Sequence, residues 1–167
     1  YYWRVDEVNA VTGVSYPGDV WSFTTQDYAV VDDFESYNDD VAAQTTIYDA
    51  WVDGFADNFK SSGSTVGLNT AMNGTFSETT IIHGGKQSMP LAYDNTLAPV
   101  SKATRTFAGP QDWTANGIQS LSLWFQGVAG NGGQLYVKIN GVKVPYEGEA
   151  ADVARPAWQV WNIDLSQ

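Results

Sequence analysis

Helical periodicity is nearly absent from this chain, and that constrains its fold more than any other feature. Apolar residues instead alternate with polar ones in short runs, each closed by Gly, Asn, Asp or Pro. A strand repeats its side-chain direction every second residue, so such runs suit strands with one buried face. They cover residues 88–93, 101–107, 118–126, 133–140 and 158–165. Turn clusters separate them at Asp94-Asn95, Gly109-Pro110, residues 127–133 and Asn140-Gly141. The last is a strong hairpin signal, because Asn and Gly both accept the positive φ of a tight turn. Many short strands at this spacing predict an all-β sandwich or jelly roll.

The N-terminal part predicts a β-hairpin of its own. Residues 1–8 alternate, with Tyr2, Arg4 and Asp6 on one face and Trp3, Val5 and Glu7 on the other. A turn-rich loop over residues 9–19 leads to a second strand over residues 20–25. The opening Tyr1-Tyr2-Trp3-Arg4-Val5 reads as mid-strand, and we expect a segment cut from a larger protein. Gln26-Asp27-Tyr28-Ala29 reads as a linker, so residues 1–26 and 27–167 form two expected units. Residues 38–81 are loop-heavy, with aromatic islands at Tyr48, Trp51, Phe55 and Phe59.

Composition narrows the function. The net charge is −11 with only eight basic residues, which leaves no footprint for nucleic acid or for an anionic membrane surface. No apolar run approaches the roughly 20 residues of a membrane span. With no cysteine, a disulfide framework, a zinc–thiolate site and a cysteine nucleophile are all excluded. Acidity without basic runs fits a secreted protein, and it fits calcium, which takes carboxylate and carbonyl oxygens. Catalysis has little support. His83 is the single histidine and has no evident Ser or Asp partner. Glu147, Glu149 and Asp152, the densest carboxylate group, lie in a Gly- and Ala-rich stretch that reads as an exposed loop. No phosphate-cradling glycine motif is present.

Two resemblances follow from particular residues. Tyr1-Tyr2-Trp3-Arg4-Val5 with Trp21-Ser22-Phe23-Thr24-Thr25 resembles the last two strands of a fibronectin type III-like domain. From Val30 onward the chain is similar to galactose-binding-like jelly rolls, in particular to family 11 carbohydrate-binding modules. Asp32-Asp33-Phe34-Glu35 resembles their opening strand, and residues 85–93 the strand after a Gly turn. Asp112-Trp113-Thr114 before residues 118–125 resembles their tryptophan-then-strand step, and residues 158–165 a late strand. The segment also resembles repeat modules of large planctomycete-type bacterial surface proteins. The family carries two further strands, so the resemblance implies a jelly roll lacking its last hairpin, with unpaired edges. The N-terminal hairpin or a neighbouring chain is the expected filler, which makes strand-mediated self-association an expectation.

The resemblance also implies one structural calcium, with Glu35 as first candidate ligand and Asp33 as second. The alternative for Asp32, Asp33 and Glu35 is a solvated acidic edge. A carbohydrate face follows from strand parity. If Leu121, Leu123, Phe125, Leu135, Val137, Ile139, Trp161, Ile163 and Leu165 point inward, then Trp124, Tyr136, Lys138 and Asn162 point outward. A flat aromatic ring beside hydrogen-bonding groups is what a pyranose needs. Alternatively, Trp124 and Tyr136 pack under a loop. Trp51, with Tyr48 and Asp53, either supplies a loop-borne subsite or forms a satellite core. The leading expectation is a non-catalytic carbohydrate-binding module of a secreted or cell-surface multidomain bacterial protein, its partner a polysaccharide. The competing one is a structural spacer or assembly unit.

Overall fold

A computed structural model describes residues 2–22 and 29–166. The chain divides into two compact units, residues 1–30 and 31–167. Phe23, Thr24 and Thr25, assigned above to a strand, lie outside the described residues, as do Gln26, Asp27 and Tyr28 of the expected linker.

The first unit holds β1 (Tyr2–Trp3), β2 (Glu7–Val8), β3 (Ser15–Tyr16) and β4 (Trp21–Ser22). β1 pairs antiparallel with β4, and β2 with β3. The expected single strand over residues 1–8 is interrupted because Asp6 turns to local partners. It pairs with Arg4 at 2.7 Å and accepts a hydrogen bond from the Gly18 N–H. Asn9 Oδ1 accepts from the Val11 and Thr12 N–H groups and closes the central turn. Trp3 and Trp21, directly opposite across the ladder, stack with centroids 6.1 Å apart. Every described residue from 2 to 22 is exposed.

The second unit is rich in strands, with only short helical turns. Its elements are α1 (Ile47–Ala50), β5 (Trp51–Val52), β6 (Ser64–Val66), α2 (Thr70–Asn73), β7 (Leu91–Tyr93) and β8 (Thr104–Arg105), then β9 (Ser120–Gln126), β10 (Tyr136–Ile139), β11 (Val142–Pro145) and β12 (Trp158–Asp164). The ladders are antiparallel: β5 with β8, β6 with β7, β9 with β12, and β10 with β11. α1 forms because Thr46 and Asp49 make a reciprocal capping box, satisfying N–H groups that a helix start leaves open. The β10–β11 hairpin turns at Asn140 (φ 48°) and Gly141 (φ 90°), the positive angles expected of Asn-Gly.

Among the described residues the buried apolar set is Ile47, Val66, Ala98, Trp161 and Ile163, all in the second unit. Ser62 and Ser64 are also buried, and both hydroxyls donate to the Lys102 carbonyl, which ties residues 62–64 to the chain before β8.

Four local expectations differ from the structure. Residues 32–37 form turns rather than an opening strand. Asp32 and Asp33 each accept from the N–H two residues on, and Phe34 sits at φ 63°. Asp32 is not a solvated edge residue either, since its side chain is 6% exposed. Residues 101–107 shorten to β8. Asp152, expected in an exposed loop, is 4% exposed within a 3-10 turn (Ala150–Ala154).

Candidate functional site

The longest ladder carries the most developed side-chain face. β9 and β12 pair over seven positions, with Trp124 opposite Val160 and Ser122 opposite Asn162. Burial alternates along both strands. Trp161 and Ile163 are buried and Leu121, Leu123 and Phe125 half-buried, while Ser122, Trp124, Val160 and Asn162 are exposed. The parity inferred from the sequence is therefore the parity of the ribbon. The inner face is closed by Tyr146, whose ring meets Phe125 at 5.1 Å and Trp161 at 5.3 Å, both edge-on.

Trp124 and Asn162 thus share one outer face. The Ser122 hydroxyl lies 2.7 Å from Asn162 Oδ1, one step along the strand from Trp124. Two residues that were not among the carbohydrate-face candidates join them. Trp158 has the same parity as Val160 and Asn162, so the alternation already assigned it outward. His83 stacks on Trp124, with centroids 3.8 Å apart and planes at 21°, and meets Trp158 edge-on at 5.6 Å. Nothing in the local sequence of His83 signals that pairing. Trp124 remains 42% exposed and His83 is exposed, so the corner faces solvent.

The loop bearing His83 is anchored at both ends. Glu78 and Ser88 exchange two backbone hydrogen bonds at its base, and the Ser88 hydroxyl donates to the Ile81 carbonyl. The Glu78 carboxylate accepts from the Thr80 hydroxyl and N–H and from the Ile81 N–H, which holds it below the usual glutamate range, the hydroxyl contributing most. Beyond His83, Glu35 Oε1 accepts from the N–H groups of Lys86 (2.8 Å) and Gln87 (3.1 Å). Gln87 donates through Nε2 to the Phe34 and Tyr37 carbonyls. Gly85 is required here. Its φ is +72°, and a Cβ would overlap the Glu35 carboxylate.

Glu35 and Asp33, the candidate calcium ligands, are therefore turn acceptors in this structure. Among the described residues no group of three or more His, Cys, Asp or Glu gathers around them. A calcium ion takes six to eight oxygens. These two carboxylates supply no more than part of such a shell.

The remaining candidates stand elsewhere. Among the described residues β10 is paired only with β11, so Tyr136 and Lys138 belong to a different ladder from Trp124 and Asn162. Tyr136 is half-buried with Lys143 Nζ 4.2 Å from its ring centre, and Lys138 is exposed. A groove of about 440 Å³ separates β11 from residues 161–165 and touches Asn162.

Trp51 belongs to a part-buried polar cluster instead. Its Nε1 donates to Asp32 Oδ2 at 2.8 Å, as does the Tyr37 hydroxyl at 2.7 Å, and Arg105 pairs with the same oxygen. Phe34 packs on Trp51, and the Arg105 guanidinium lies over the Tyr37 and Phe107 rings. Burial pushes the Tyr37 hydroxyl above its usual range, with the Trp51 hydrogen bond opposing and the Asp33 charge assisting. Burial also lowers the Arg105 value. Of the weak catalytic candidates, Asp152 accepts from the Tyr146 hydroxyl at 2.7 Å and pairs with Arg155, while Glu147 and Glu149 are exposed.

The chain matches no protein-family profile, no curated protein and no solved structure. Among the described residues no helix is long and apolar enough to cross a membrane.

Proposed function

We propose that this chain is a non-catalytic carbohydrate-binding module of a secreted or cell-surface bacterial protein, its second unit a galactose-binding-like jelly roll. The observation that supports this most directly is the outer face of the β9–β12 ribbon. There a solvent-facing Trp124, stacked with His83, adjoins the Ser122–Asn162 polar pair. A pyranose presents an apolar C–H face and a rim of hydroxyls, and this face offers a counterpart to each. In this reading binding involves no bond-making. A structural calcium at Glu35 and Asp33 is a separate proposal carried by the family resemblance alone.

Retention on a panel of soluble and insoluble plant and algal polysaccharides, with calcium and with chelator, tests the proposal. Retention on one neutral glycan, lost in Trp124→Ala, supports it. No retention under either condition overturns it.

A second reading is a spacer or assembly unit acting through strand-mediated association. Its supporting observation is the first unit, where the stacked Trp3–Trp21 pair and Tyr2, Val5 and Val8 are all exposed. Concentration-dependent association that is abolished by Trp3→Ser with Trp21→Ser, without any glycan binding, favours this reading.

A further inference from the structure

We infer that His83 is itself a sugar-contacting residue, and that the His83–Trp124–Trp158 corner is a subsite for an uncharged glycan; this rests on the carbohydrate-binding reading above. The corner is built rather than incidental. Trp124 and Trp158 lie diagonally on one face of the β9–β12 ribbon, and the ladder fixes their positions. His83 reaches them from a loop fastened by the Glu78–Ser88 bridge on one side and by Glu35 on the other. An exposed loop tip would ordinarily lose conformational freedom for nothing by holding its imidazole against an exposed and a half-buried ring. Here two side-chain carboxylates and a backbone bridge restrict the loop, so the imidazole is presented in place before a ligand arrives.

The imidazole covers one side of Trp124 at 3.8 Å, so a sugar approaching that side meets His83 first. The exposed ring then offers a stacking surface and, at its edge, ring nitrogens able to bond a hydroxyl. Charge selects the ligand class. The chain carries −11, and the other outward positions of the ribbon are Ser120, Ser122, Gln126, Val160, Asn162 and Asp164, none of them cationic. A polysaccharide of uronates or sulfated sugars would approach against this field, whereas a neutral one would not.

Because His83 is the only histidine, its two carbon-bound ring protons are unique reporters by nuclear magnetic resonance. The experiment titrates the full chain with neutral oligosaccharides of β-glucan, xylan and galactan, and with oligogalacturonate as the anionic counterpart. The expected result is that one neutral oligosaccharide shifts the imidazole signals with the same saturation curve as the bulk binding. His83→Ala should weaken that binding about five- to tenfold, the scale of one lost ring stack, and His83→Phe should restore most of it. Binding that is lost in Trp124→Ala but leaves the imidazole signals unmoved overturns the role of His83 and spares the module reading. Preferential binding of oligogalacturonate overturns the uncharged class. Imidazole shifts that depend on protein concentration without sugar assign the corner to a second copy. The absence of any binding overturns this inference and the module reading together.

Discussion

At the scale of single residues, Asp32 does more structural work than its neighbours. One oxygen gathers the Tyr37 hydroxyl, the Trp51 indole N–H and the Arg105 guanidinium, and so joins three distant chain segments. Removing it would leave Arg105 half-buried beside aromatic rings without a counter-charge. Breaking one side of a buried pair is costly for that reason. Asp32→Ala should therefore lower unfolding free energy by about 3 kcal/mol in urea titrations, whereas Asp33→Ala, which loses one turn hydrogen bond, should lose about 1 kcal/mol. Glu78 gives a prediction with a defined pH direction. Its carboxyl titrates lower in the folded chain than in the unfolded one, so the unfolded chain binds more protons as pH falls. The stabilisation it provides is present above the ordinary glutamate value and lost as pH drops through the lower folded value. Carbon-detected NMR should place its midpoint below that of a free glutamate, and Thr80→Ala should move it upward.

At the scale of elements, the β9–β12 ribbon separates stability from recognition along one strand. Ile163 is 2% exposed, while Asn162 beside it faces solvent. Ile163→Ala should cost about 2–5 kcal/mol, the range for truncating a buried aliphatic residue. Asn162→Ala should cost under about 1 kcal/mol, since it removes one exposed hydrogen bond. Denaturant midpoints of the two variants check this, and an equal loss would mean that the strand's faces are not divided as described. The loop that carries His83 shows the opposite case, an element with no regular structure whose shape is set by side chains. Glu35 lies about 50 residues before the backbone groups that it accepts from. No local pattern could show that the residue carrying the calcium expectation anchors this loop.

At the scale of the whole molecule, the five buried apolar residues among the described ones lie in the second unit, and the described part of the first is exposed throughout. A fragment of residues 31–167 should therefore unfold cooperatively with a melting temperature within a few degrees of that of the full chain; a fragment that fails to fold would show that residues 31–167 are not an independent folding unit. The sequence by itself determined the strand-rich character, the Asn140-Gly141 hairpin and the inward and outward sides of β9 and β12. It could do so because these depend on neighbours one to four residues apart: the two-residue repeat of a strand, and the angles that Asn and Gly tolerate. The tertiary structure alone decided that the Asp32 side chain is buried rather than solvated, that Trp51 belongs to a different ladder from Trp124, that Tyr136 and Lys138 stand on another ladder, and that His83 covers Trp124. Each of these sets together residues tens of positions apart. Which distant groups meet is fixed by packing and by the need to satisfy buried charge, and no periodicity along the chain encodes that.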